Sequence, residues 1–211
     1  MNKIIIVGAG GFGREVACWM EHMFEAGLAG TFGGFLDDTK PVAPMLSADY
    51  PYPLLGPVDE YVPQENDRFV IAIGSPADKL RIAHSLQARG AQFINLIHPT
   101  ATLARTAKLG TGVILFPYTI VSANAVVGDF VALNSYSAVG HDAEVGSGST
   151  LSAYVDVTGY AHLGEAVFVG SHAAILPKVR VGKDATIGAG AVVVRNVAEA
   201  TTVYAMPARK L

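Results

Sequence analysis

Counted from Ile97, every sixth residue as far as Val193 is Leu, Ile or Val. The run is Ile97, Leu103, Leu109, Leu115, Val121, Val127, Leu133, Val139, Val145, Leu151, Val157, Leu163, Val169, Ile175, Val181, Ile187 and Val193. Four places after each stands a small or β-branched residue, from Ala101 and Ala107 through to Ala191 and Val197. An unbroken period of six predicts a stack of short strands and tight corners, a parallel β-helix. The aliphatic residue points inward onto its equivalents in neighbouring coils, and the small residue fills the narrower space beside it. Gly often follows the aliphatic position, as at Gly110, Gly128, Gly140, Gly146, Gly164, Gly170, Gly182 and Gly188. These glycines are read as supplying the backbone freedom the corners need. A β-sandwich would lose such a register within a few strands.

Residues 1–96 follow another pattern. Lys3 to Val7 is a continuous apolar strand, Gly11 to Met23 a helix, and Thr31 to Leu36 a strand ending at Asp37-Asp38. Residues 40–64 are Pro-rich and predict an irregular excursion with one short element. Phe69 to Ile73 is a buried strand. Pro76 to Arg89 is a helix with Pro in its first turn and Gly90 past its end, and Gln92 to Asn95 is a last short strand. This order predicts a small parallel α/β, Rossmann-like domain over 1–96, joined near Leu96-Ile97-His98-Pro99 to a second domain over 97–211.

Composition narrows the function. The 211 residues are 51% hydrophobic and 16% charged, with 23 Gly and a formal net charge of −3. No basic run points to nucleic acid. No apolar run approaches the roughly 18 residues that span a bilayer, and the apolar start is too short for a signal peptide. A cytoplasmic protein is expected. Cys18 rules out an intrachain disulfide and is expected to be a buried structural thiol.

Two places carry chemistry. Gly8-Ala9-Gly10-Gly11-Phe12-Gly13 matches G-x-G-x-x-G between a strand and a helix, where glycines let a phosphate approach and the helix N-terminus attracts it. Asp37 and Asp38 are placed to accept from a ribose or base, and Gly74-Ser75 forms a second wall. NAD is disfavoured because the domain is under 100 residues and the second domain offers no hydride-transfer site; a nucleotide-sugar suits it better. In the repeat domain, the hexad Val139-Gly140-His141-Asp142-Ala143-Glu144 holds His141 at an outward corner, seven residues after Asn134. An imidazole there can take a proton, oriented by either Asp142 or Glu144. His172 shares the slot and is the runner-up base, and His162 takes the sixth slot. His22 and His84 lie on surface faces of helices, and His98 at the junction. No Cys/His/Asp cluster has metal-ligand spacing, so no metal is expected.

The glycine loop with Arg14-Glu15, Phe35-Leu36-Asp37-Asp38, Ile71-Ala72-Ile73-Gly74, Leu96-Ile97-His98-Pro99, Asn134-Ser135, Gly140-His141-Asp142 and Met206-Pro207-Ala208-Arg209-Lys210 together resemble the sialic-acid O-acetyltransferase-like (NeuD/PglD-type) family of bacterial sugar acetyltransferases. The resemblance implies a left-handed β-helix, a homotrimer with acetyl-CoA between neighbouring helices, and a nucleotide-linked amino sugar on the amino-terminal domain. It implies His141 as general base, Asp142 as its supporting acid and Asn134 as an active-site residue. Gly10, Gly11, Phe12, Asp37, Asp38 and Gly74 match sugar-nucleotide contacts. Thr150, Gly159, Ser171 and Ala189 match acetyl-CoA contacts. Relatives carry Glu for Asp142, His for Phe12, His for Thr150, and a small residue for Met206. The implied reaction is acetyl-CoA-dependent N-acetylation of a nucleotide-linked 4-amino-4,6-dideoxyhexose for surface glycan or glycoprotein sugar synthesis. The alternatives are O-acetylation of a sialic acid-type sugar, or a non-catalytic β-helix binding protein.

Overall fold

The computed structural model describes residues 1–38 and 52–206. Residues 40–51 of the Pro-rich excursion and the closing Pro207 to Lys210 therefore lie outside the described residues.

Four parallel strands form the amino-terminal sheet: β1 (Lys3–Val7), β2 (Thr31–Leu36), β3 (Leu54–Gly56) and β4 (Asp67–Ile71), in the order β3-β2-β1-β4. Ile4 to Val7 are fully buried because the central strand is covered on both faces, which its unbroken apolar run reflects. Helix α1 (Gly11–Glu25) buries Gly13, Val16, Ala17, Met20 and Met23, a single helical stripe. Cys18 lies off that stripe and is exposed, which corrects the buried thiol expected from its apolar neighbours. Helix α2 (Pro76–Ala88) opens with Ser75 accepting from the Asp78 N–H and with Pro in its first turn. The short strand expected over Gln92 to Asn95 is one bridge, Phe93 to Phe69. Asn95 is taken instead by the repeat domain, with Nδ2 donating to the Gly110 carbonyl and Oδ1 accepting from the Val113 N–H.

From Leu96 to Val203 the chain is a left-handed β-helix whose three faces carry five, six and seven two-residue parallel strands. Residues 18 apart pair, as Ala132 with Thr150 and Ala138 with Asp156. From Leu115 to Ile187 each sixth-position aliphatic residue is at most 2% exposed, so each contributes about 1.5–3 kcal/mol of burial. Ile97, in the first coil, has no coil before it and is 38% exposed.

The corners correct the reading of the glycines. The left-handed residues stand three places after the aliphatic ones and include Tyr118, Asn124, Tyr136, Asp142, Tyr154, Tyr160 and His172. Gly140 and its equivalents are needed for another reason. A Cβ on Gly140 would stand 2.8 Å from the Gly159 backbone N in the next coil. The coils approach too closely for a side chain there.

The two halves share core. Leu96, Ile114, Phe116 and Ala132 cluster with Ile4, Val16, Met20 and Phe35. Phe93 meets Phe130 edge-on at 5.0 Å, and α2 lays Leu80 where a Cβ on Gly148 would otherwise stand. Among the described residues no helix is long and apolar enough to cross a membrane.

Candidate active site

In the glycine loop, two glycines serve the fold and two do not. Gly8 has φ +103°, and a Cβ there would meet the Ala72 carbonyl oxygen at 2.7 Å; a Cβ on Gly13 would strike the Gly8 carbonyl. Gly10 and Gly11 meet nothing within 4 Å and have no positive φ. Their bare backbone is open to an approaching group at the start of α1, where helix N–H groups point outward. Asp37 and Asp38 line a cavity of about 350 Å³ with Gly8, Ile73, Asp78 and Arg81. One Asp37 oxygen accepts from the Ala9 N–H at 2.6 Å, and Asp38 accepts from the Val58 N–H at 2.7 Å. Both aspartates thus also hold the pocket's own walls. Arg81, paired to Asp78 at 3.2 Å, places a cation in this cavity that the sequence reading missed.

Phe12 and Gly74 line a different pocket, of about 180 Å³, where the halves meet; its other walls are Ala132, Asn134, Thr150, Leu151, Ser152 and Phe168. Asn134 Oδ1 accepts from the Ser135 N–H at 2.6 Å. Glu15, on α1, was not singled out by sequence. Burial raises its carboxyl above the usual range, against a hydrogen bond with Asn134 that lowers it. Lys79 was also missed. It is 1% exposed, and its Nζ donates to the Ser149 carbonyl at 3.0 Å and to Thr150 Oγ1 at 2.7 Å. Burial pushes its ammonium down to about 7. The signal was present, because Lys79 takes a place on the buried stripe with Ile82, Ala83 and Leu86.

His141 occupies a different corner. Asn134 lies in the turn between the seven- and six-stranded faces, and His141 in the next, between the six- and five-stranded faces. One protomer does not bring them together. The His141 side chain is 59% exposed, with Nδ1 2.9 Å from Asp142 Oδ2. Asn124 Nδ2 donates to the other Asp142 oxygen at 3.0 Å. The hydrogen bonds from His141 and Asn124 hold the Asp142 carboxyl below its usual range. An ionised Asp142 only accepts, so His141 Nδ1 carries the hydrogen, and in the neutral imidazole the lone pair then lies on Nε2. Gly159 lies directly against that ring, where a Cβ would stand 2.6 Å from Nε2, and Tyr160 meets the ring edge-on at 5.2 Å. Glu144 pairs with His162 at 2.9 Å, so the acid beside His141 is Asp142. His172 ends a stacked ladder with Tyr118, Tyr136 and Tyr154, and lies 4.6 Å from Tyr154.

The residues expected around acetyl-CoA are divided. Thr150 lies in the junction pocket, Gly159 on the His141 corner, and Ser171 and Ala189 in later coils of the Asn134 corner. His22 and His84 are exposed. His98 is buried, 3.1 Å from His22, and burial followed by the His22 charge lowers its pKa. Among the described residues no group of three His, Cys, Asp or Glu is placed to hold a metal.

Comparison with known proteins bears on this arrangement. Residues 3–86 match the PglD N-terminal domain, and residues 160–195 match the bacterial transferase hexapeptide (six repeats) family. The amino-terminal part thus resembles a PglD-type domain and the carboxy-terminal part a hexapeptide-repeat transferase. The chain is similar to the GDP-perosamine N-acetyltransferase of Escherichia coli O157:H7, 28% identical over 138 residues, which are 65% of this chain and 61% of that protein's length. It is also similar to the acetyltransferase domain of PglB from Neisseria gonorrhoeae FA1090 in complex with acetyl coenzyme A, at 28% identity and TM-score 0.86 over 100% of both chains. PerB from Caulobacter crescentus, in complex with CoA and GDP-perosamine, has 25% identity and TM-score 0.86 over 99% of this chain and 97% of its own.

Proposed function

We propose that this chain is an acetyl-CoA-dependent N-acetyltransferase acting on a nucleotide-linked amino sugar, of the 4-amino-4,6-dideoxyhexose type carried by GDP-perosamine. The observation that carries the reading is the His141–Asp142 pair on an exposed corner, its Nε2 lone pair facing a glycine. Ionised Asp142 orients the imidazole and stabilises the cation it becomes. The sugar amine attacks the thioester carbonyl carbon while His141 Nε2 takes its proton. The new C–N bond forms, the C–S bond breaks, and the departing sulfur receives the proton from His141. Corner N–H groups facing the carbonyl oxygen would stabilise its negative charge.

Residues 1–96 hold the nucleotide in this reading, with Asp37, Asp38 and the bare backbone of Gly10 and Gly11 as its contacts. Residues 97–211 supply the base, Asn134 and the acetyl-CoA groove. Because the His141 and Asn134 corners are separate within one chain, a homotrimer that sets one corner against the other in a neighbouring copy completes the site. Ser171 and Ala189 on one corner and Gly159 on the other then border one groove.

The test is acetyl transfer to a panel of GDP-, UDP- and dTDP-linked 4-amino sugars, run beside hydroxyl acceptors. An amide product from at least one amino sugar is expected. An ester product alone would move the assignment to O-acetylation, and no product with any acceptor would refute it.

A further inference from the structure

Lys79 and Thr150 form a polar pair that neither fold nor catalysis, as described, requires. Lys79 is buried among apolar residues of α2, yet its Nζ crosses to the repeat domain and ends on a carbonyl and a hydroxyl, not a carboxylate. The Ser149 carbonyl can only accept, and Lys79 in its protonated form can only donate. Thr150 Oγ1 therefore accepts from Lys79, and its own hydrogen is left for another partner. Among the described residues Thr150 Oγ1 makes only this hydrogen bond. Thr150 lines the junction pocket with Phe12, Gly74 and Asn134. Two features there favour an oxygen-rich, anionic occupant: the buried cation behind Thr150, and the start of α1 at Gly11-Phe12, where no side chain caps the N–H groups.

We infer that Lys79 is a positioning residue that holds the Thr150 hydroxyl as a donor into the junction pocket, where it meets an oxygen of the nucleotide-linked sugar beside its diphosphate. This rests on the reading under "Proposed function" and deepens it. Thr150 then serves the acceptor, where the family resemblance implies acetyl-CoA. The nucleotide is gripped from both halves of the chain, by the glycine loop on one side and by a Lys-polarised hydroxyl on the other.

The experiment is calorimetric titration of the wild type, Thr150→Val, Thr150→Ser, Lys79→Met and the Lys79→Met/Thr150→Val double variant. Each is titrated with the amino sugar that the panel identifies and with acetyl-CoA. Thr150→Val is expected to weaken the sugar nucleotide about tenfold to a hundredfold, the range for a hydrogen bond polarised by a charge. Thr150→Ser should bind as wild type, and acetyl-CoA affinity should stay within about twofold throughout. Lys79→Met should weaken the sugar nucleotide several-fold alone and add nothing in the Thr150→Val background, because it acts through that hydroxyl. If Lys79→Met does not fold, Lys79→Gln, which keeps two N–H donors, should bind nearly as wild type, and loss of binding in it would count against the inference. Unchanged sugar-nucleotide affinity in Thr150→Val, a shift confined to acetyl-CoA, or an equal Lys79→Met effect in both backgrounds would overturn it. A wild type that binds no nucleotide-linked amino sugar overturns the functional reading and this inference together. A wild type that binds while Thr150→Val binds equally well overturns this inference alone.

Discussion

Gly159→Ala tests the His141 assignment without touching His141. An added Cβ would stand 2.6 Å from Nε2, 2.7 Å from Cε1 and 3.1 Å from Cδ2 of the His141 ring. All three distances lie inside normal carbon and nitrogen contact, so the ring must turn away. It is free to do so, since more than half of the side chain is exposed. Turning breaks the 2.9 Å bond to Asp142 and removes the lone pair from the corner. The effect on stability should be small. Gly159 has no positive φ, and Ala at a compatible position restricts the unfolded chain by about 0.4–1 kcal/mol in favour of the fold. The effect on transfer should be large. A positioned base is worth about 10²–10⁴ in rate, or roughly 3–5 kcal/mol of barrier. The assay is kcat and KM for both substrates, with the His141 ring followed by NMR and Tm by calorimetry. A fall in kcat of at least about a hundredfold is expected, with little change in Tm and a displaced His141 resonance. A displaced ring with undiminished kcat would refute His141 as the base. An undisplaced ring would refute the steric reasoning.

Other outcomes follow from the same geometry. Asp142→Asn keeps the shape but removes the charge that fixes the imidazole, and should lower kcat by about 10- to 100-fold, with Glu144→Gln within about twofold of wild type because Glu144 serves His162. Steady-state rates of the two variants side by side decide between the acids. Lys79 should give stability a pH slope. Its folded pKa of about 7 lies below its ordinary 10.5, so between those values the unfolded chain binds the proton that the folded chain releases. Stability should therefore rise with pH across that window, by at most about 1.4 kcal/mol per pH unit. Denaturant unfolding of wild type and Lys79→Met from neutral to alkaline pH should diverge, and parallel curves would show that Lys79 does not titrate differently on folding.

The β-helix was legible because its period is strict: each aliphatic side chain has one inward place to go, and a break at any coil would have shown. The glycines misled because sequence cannot separate a residue without a side chain for φ from one without it for clearance. Gly140 is the second kind, and the left-handed corners fall to residues such as Asp142 and Tyr136. Strands β1 and β2 were legible from their apolar runs, whereas Gln92 to Asn95 was overread because Asn95 pairs with another domain, a long-range fact. In the site, the His141–Asp142 pair was readable from register. The choice between Asp142 and Glu144 was not, because it depends on which coil His162 occupies. Lys79 was missed although a lysine on an apolar helical stripe is a visible anomaly; its partners lie about seventy residues away.

The central claim is that His141, held by Asp142, moves the proton in acetyl transfer to a nucleotide-linked amino sugar. The most direct measurement is the pre-steady-state rate of acetyl-amide formation, by rapid quench and mass spectrometry, for wild type and His141→Ala with both substrates saturating. The account predicts a wild-type amide product and a rate at least about a hundredfold lower in a folded His141→Ala protein. Equal rates in the two proteins, or a wild type that forms no amide, would contradict it.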